Sequence, residues 1–155
     1  MYARVADALD LVDADGVEII IQTMPPYPWH FGGQRYHNLF VRPHEIKDFC
    51  ERHGTRVCYD VSHSKLACNQ FQQSLQSFTE MVGPYTAHLH IVDARGTRDE
   101  GLQIGEGEID FVALGRALAA TCPQATFIPE IWQGHKDAGK GFWIALDRLE
   151  KAFAT

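Results

Sequence analysis

Four largely apolar runs of the chain, residues 16–22, 56–63, 86–93 and 125–130, finish on a residue able to hold a cation or move a proton, and their strand-like parts are 17–22, 56–61, 86–92 and 125–130. Each is short, rich in β-branched or aromatic residues and bounded by turn formers, which predicts a strand. Between them the apolar positions recur at helical spacing, as in Val5, Ala8, Leu9 and Val12. The pattern predicts helices over 5–12, over 43–53 with Pro43 in the first turn and Gly54 as the stop, over 69–82 with Asn69 as the cap, over 110–121 with Asp110 as the cap, and over 142–153. Strands alternating with helices predict an α/β fold with a parallel sheet. Residues 23–43 break the rhythm. They hold Pro25, Pro26, Pro28, Gly32 and Gly33 among aromatic residues, which predicts an ordered loop covering a site. His30, Arg35 and His37 lie in that loop and are assigned to its packing.

Period-two alternation places side chains on the strand faces. Gln22, Asp60, His90 and Glu130 then fall in one layer at the carboxyl ends of the four strands, where α/β sheets and barrels gather their chemistry. His88 shares a face with His90 but lies deeper, so it is read as a satisfied interior histidine, and Asp93 as the organiser of the loop after its strand. Two or three oxygen donors with one imidazole suit Mn²⁺, Mg²⁺, Co²⁺ or Zn²⁺.

Composition narrows the partners. A chain of 155 residues is long enough for a core and predicts one domain over 1–155. The net charge of −6, without a basic run, argues against a surface built for nucleic-acid backbone. No apolar stretch has the length to span a bilayer, and the first residues lack the apolar centre of a secretory signal. Cys50, Cys58, Cys68 and Cys122 show no C-x-x-C spacing, which predicts reduced, buried thiols and a cytoplasmic protein.

Three motifs in order carry a family resemblance. They are Asp60-Val61-Ser62-His63; His90-Ile91-Val92-Asp93 followed by Ile104-Gly105-Glu106-Gly107-Glu108-Ile109-Asp110; and Pro129-Glu130 before the closing helix. The chain resembles the xylose-isomerase-like TIM barrels, a superfamily of sugar isomerases and epimerases, inositol-catabolism enzymes and apurinic-site endonucleases. The likeness covers nearly the whole chain but only the second half of an eight-stranded barrel. It implies a (βα)₄ half barrel whose partner is a missing half barrel or a second copy. It implies a divalent-metal-dependent isomerase or epimerase acting on a sugar or sugar phosphate through an enediolate. Gln22, Asp60, His90 and Glu130 stand at the metal-ligand positions, Glu130 and His63 at catalytic ones, and His63 also where substrate is held; Trp132 and His135, directly after Glu130, are read from their place as substrate contacts or as loop packing. Gln22 stands where the family carries a glutamate, and an amide brings neither charge nor basicity. A non-catalytic carbohydrate-binding or structural domain is therefore the alternative. The endonuclease reading requires a D-x-H before the G-x-G motif and several zinc ions; here that stretch is Asp99-Glu100-Gly101, with glycine in place of the histidine.

Overall fold

The computed structural model describes residues 1–27 and 38–154. His30, Arg35 and His37 lie outside them. The described chain forms helices α1 (Tyr2–Leu9), α2 (Pro43–His53), α3 (Val61–Phe71), α4 (Leu75–Val82), α5 (Phe111–Thr121) and α6 (Lys136–Phe153). Its strands are β1 (Ile21–Gln22), β2 (Val57–Asp60), β3 (Thr86–Ile91), β4 (Asp93–Arg95), β5 (Asp99–Leu102) and β6 (Thr126–Pro129). The main sheet runs β1-β2-β3-β6, and all three pairings are parallel. This is the four-stranded parallel half of a barrel expected from the sequence.

The core lies between the outer face of this sheet and the helices. Tyr59, at the centre of β2, is fully buried and stacks on Phe78 of α4 with ring centroids 5.8 Å apart. Its hydroxyl shares a 2.7 Å hydrogen bond with Thr79 Oγ1, so these two buried polar atoms satisfy each other. Burial raises the Tyr59 phenol far above its ordinary range. In the helix layer α2 packs on α4, α4 on α5 and α5 on α6. On the opposite flank of α2, Tyr2 of α1 sets its ring 5.0 Å from Phe40 and 5.9 Å from Phe49. The Tyr2 hydroxyl donates to Glu45 at 3.0 Å and accepts the Phe40 N–H at 2.9 Å, fastening α1 to the start of α2.

The predicted elements shift in instructive places. The first strand shrinks from 17–22 to Ile21–Gln22, because β1 has a partner only where Ile21 meets Val57 and Gln22 meets Cys58. The helix expected over 69–82 is two helices. Chain turns at Gln72, with φ 54°, and Ser74 caps the second helix by accepting from the Ser77 N–H. Asn69 is not a cap; it sits inside α3 and donates to the Gly96 carbonyl at 2.6 Å and to Glu108 at 3.1 Å. The missed helix α3 starts directly after β2, because Asp60 ends the strand and caps the helix in one residue. Valine at 61 disguised that start, since a β-branched residue after a strand reads as more strand. The glycine-containing stretch after β3, expected as loop, includes the antiparallel hairpin β4–β5. The last helix begins at Lys136 rather than 142, but Asp137, Ala138 and Gly139 have left-handed backbone angles, so the predicted loop survives as a kink. Among the described residues no helix is long and apolar enough to cross a membrane.

Candidate functional site

Asp60 is the centre of the polar layer. Its side chain is wholly buried, and its two oxygens have separate tasks. Oδ1 accepts from Ser62 Oγ at 2.9 Å and from the His63 backbone N–H at 3.0 Å, which closes the first turn of α3. Oδ2 is thereby turned inward. It lies 3.3 Å from His63 Nδ1, 3.4 Å from Gln22 Nε2 and 3.6 Å from His90 Nδ1.

The parallel register brings the other strand ends to this oxygen. Asp60 pairs with His90 across β2–β3, and His90 with Ile128 across β3–β6, two residues before Glu130. His90 Nδ1 lies 2.9 Å from Glu130 Oε2, and one donor atom from each of Asp60, His90 and Glu130 falls within 4.8 Å of the others. Gln22 Nε2 is 3.4 Å from His90 Nδ1. All four residues singled out by their strand ends therefore converge. A half-turn of the Gln22 amide exchanges its nitrogen for its oxygen, which is the atom a cation would take.

The protonation balance follows from this crowding. The Asp60 carboxylate 3.6 Å away, with further contributions from Cys58 and Glu130, outweighs burial and raises His90 to about 12. At His63 burial pulls the pKa down, but the hydrogen bond to Glu100 and the charge of Asp60 prevail and raise it to about 9. Asp60 is the converse case: burial pushes it up, yet the neighbouring His90 and the His63 charge hold it below the ordinary carboxylate range. Without an ion the site is a carboxylate cage around imidazolium. Its two carboxylates and imidazole are donors of the kind that could hold a divalent cation.

His63 is held on both sides. Its Nδ1 is 2.9 Å from the Thr23 carbonyl oxygen, and its Nε2 is 3.4 Å from Glu100 Oε2. Glu100 was not singled out by the sequence. It lies in β5, which its strand-poor composition, Asp99-Glu100-Gly101-Leu102, does not announce. The signal available was its place between the two positions of the D-x-H comparison. Gly101, inside β5, has φ +74°; its carbonyl accepts the Trp132 N–H at 2.8 Å, and an added Cβ would come 3.0 Å from Trp132 Cβ.

The remaining predicted residues stand outside this cluster. Trp132 and His135 are exposed on the segment after Glu130. Trp132 lines a shallow cavity of about 370 Å³ with Arg95, Arg98, Asp99, Glu100 and Leu102. His88 is half-buried on the inner face, with Nδ1 2.7 Å from Thr126 Oγ1. Burial and the neighbouring His90 lower its pKa. Asp93 organises the following loop as expected. It accepts the N–H groups of Ala94 (2.8 Å), Gly105 (2.9 Å), Gly107 (2.8 Å) and Ile109 (3.2 Å). At Gly107 a Cβ would fall 2.3 Å from Asp93 Oδ1, so only glycine allows that approach. The four cysteines are free and buried.

Known proteins share this arrangement of elements. A xylose isomerase domain protein from Alicyclobacillus acidocaldarius superposes with a TM-score of 0.69 at 20% identity, over 97% of this chain and 56% of that one. The D-psicose 3-epimerase of Clostridium cellulolyticum H10 gives 0.66 at 18% identity, over 98% and 55%. An L-ribulose 3-epimerase gives 0.67 at 15% identity, over 99% and 52%. Two uncharacterized proteins of Methanocaldococcus jannaschii are 29% and 26% identical over 68% and 72% of this chain. The chain spans about half the length of these solved structures and 36% of each archaeal protein. The family model for xylose isomerase-like TIM barrels matches residues 1–151. From the strand ends, their register and that match, the chain belongs to the xylose isomerase-like TIM barrel family.

Proposed function

We propose that this chain is the metal-binding half of a sugar or sugar-phosphate isomerase or epimerase, acting as one domain within a completed barrel in the cytoplasm. The observation that carries the reading is the convergence of Asp60, His90 and Glu130 within 4.8 Å at the carboxyl ends of three parallel strands. These three, with the oxygen of Gln22, would hold Mn²⁺, Mg²⁺, Co²⁺ or Zn²⁺. When bound, such an ion polarises hydroxyl and carbonyl oxygens and makes the hydrogen beside the carbonyl more acidic. The sugar-epimerase neighbours support the substrate class.

The protein's own groups then divide the work. Glu130 is half-exposed at the rim, with a side-chain exposure of 52%, where it can meet a substrate carbon and take or return its proton. Asp60 is sealed beneath and contributes charge and position only. His63, with both ring nitrogens engaged by the Thr23 carbonyl, Asp60 and Glu100, would hold the Asp60 carboxylate in place for the ligand shell, and would reach a substrate oxygen only by giving up the Glu100 contact. Trp132 and His135 offer an aromatic face and a hydrogen bond to the sugar from the next loop.

One observation favours a second reading. Gln22 occupies the fourth position with an amide, so the strand ends offer one exposed carboxylate for proton transfer instead of two. A carbohydrate-binding domain without catalysis requires only that arrangement. Two measurements separate the readings. Titration calorimetry with Mn²⁺ should give about one equivalent bound, lost in Asp60→Asn. In ²H₂O the Mn²⁺-loaded protein, in a completed barrel, should then exchange the proton beside the carbonyl of a ketose or ketose phosphate, followed by NMR. Metal binding without exchange across the ketose series selects the binding domain, and absence of metal binding removes the enzyme reading.

A further inference from the structure

A cavity adjoins the polar layer without belonging to it. Its volume is about 370 Å³, and it lies between the β4–β5 hairpin and Trp132 on the segment after β6. Two of its residues tie it to the strand ends. Glu100 lines it and also lies 3.4 Å from His63 Nε2, and Trp132 lines it two residues beyond Glu130. The Trp132 wall is fixed at its backbone, whose N–H donates to the Gly101 carbonyl at 2.8 Å. The indole is nonetheless 63% exposed. An aromatic ring held in place and open on its face is a surface a ligand can pack on.

The charges of the cavity do not balance. Four charged side chains line it, and three of them are answered. Arg95 reaches Asp99 Oδ2 with Nη2 at 3.1 Å and Nε at 3.3 Å, and Glu100 faces His63. Among the described residues no carboxylate forms an ion pair with Arg98. In a chain of net charge −6, one guanidinium therefore stands uncompensated beside the candidate site. The Arg95–Asp99 pair is exposed on both partners and uses a single carboxylate oxygen, so it is screened and an incoming anion can compete for Arg95. A carboxylate would be answered by Arg98 alone. A phosphate monoester, with about two charges and three oxygens, matches both guanidinium groups of the hairpin.

We propose that this cavity is a phosphate subsite of the candidate active site. The sugar stands over Asp60, His90 and Glu130, its far end passes Trp132, and its phosphate is held by Arg98 together with Arg95. The metal centre is then matched to a sugar phosphate in preference to a free sugar. This rests on the isomerase or epimerase reading above, which does not itself require it.

The test is calorimetry on the Mn²⁺-loaded protein with D-fructose, D-fructose 6-phosphate and D-fructuronate, which carries a carboxylate at the same end. The 6-phosphate should bind about tenfold tighter than fructose. Arg98→Gln should remove most of that ratio, and Arg95→Gln a smaller part. A 6-phosphate that binds no tighter than fructose overturns the subsite and leaves the sugar reading standing, as does a ratio that survives Arg98→Gln. An equal gain with fructuronate overturns the assignment to phosphate. If neither fructose nor its phosphate binds, the sugar reading fails, and inorganic phosphate decides the subsite by itself. Saturable NMR shifts of the Arg98 Nε–H and the Trp132 indole N–H, lost in Arg98→Gln, support it; unmoved signals overturn it.

Discussion

Asp60 and Asp93 are two carboxylates with the same burial and opposite surroundings. Asp60 ends β2 and Asp93 opens β4, separated by one residue from the end of β3, and both are wholly inaccessible to solvent. Asp93 is enclosed by four backbone N–H groups, from Ala94, Gly105, Gly107 and Ile109. Asp60 uses one oxygen in the same manner and turns the other to His63, His90 and Gln22. Backbone donors cannot leave without unfolding the loop, whereas side-chain partners can rotate away or surrender a proton. A buried charge among amides is architecture; one among imidazoles is available for exchange with a cation.

The sharpest way to break this contrast is Asp93→Asn. Its amide group would face donors with a donor of its own, and the loss should reach roughly 3–5 kcal/mol in urea unfolding. A change below about 1 kcal/mol would mean that the 105–109 loop is held by something else. Asp60→Asn keeps the capping oxygen, so its stability cost should be smaller, roughly 1–2 kcal/mol. Its Mn²⁺ affinity should nevertheless fall on the order of 100-fold. Equal losses of stability in the two variants would erase the distinction.

Next in size is a pH effect in the metal-free chain. The His63 pKa is raised to about 9 in the folded state, against burial, by Glu100 and Asp60. The stabilisation is fully present below the unfolded value near 6.5 and is lost as pH rises through about 9. Thermal unfolding in EDTA should show a decline across that window to which His90, raised to about 12, also contributes; the His63 share of roughly 2–3 kcal/mol is the part that shrinks in Glu100→Gln. A flat profile would show that His63 is not held as an imidazolium. The smallest expected change is a gain. Gln22→Glu should raise Mn²⁺ affinity about tenfold, one additional charge in a partly buried shell; no gain would place Gln22 outside that shell.

The sequence was most legible where regular patterns repeat. Apolar runs ending in Gln22, Asp60, His90 and Glu130 located the strands, their parallel order and the convergent layer. Such runs depend on burial against helices, which a linear pattern records well. It was least legible where one residue serves two elements. Asp60 closes β2 and caps α3, so strand and helix share a boundary with no turn between them. Glu100 was missed because β5 is short and polar, its geometry fixed by Gly101 and by contact with Trp132, which lies far along the chain. The reach of His63 to Glu100 is a tertiary fact that no local spacing encodes.

The four buried thiols have a use in following how the molecule opens. Cys50 lies on α2, Cys58 on β2, Cys68 on α3, and Cys122 at the end of α5. Burial raises Cys50 and Cys68 to about 11, so both stay protonated and inert toward disulfide reagents while the fold is closed. Each thiol becomes reactive only when its own element parts from the rest. Mass-resolved labelling would therefore record the sequence in which the layers separate, without introducing a foreign probe. Cys58 shares the inner face with Asp60, and its labelling rate would register when that layer becomes accessible to solvent.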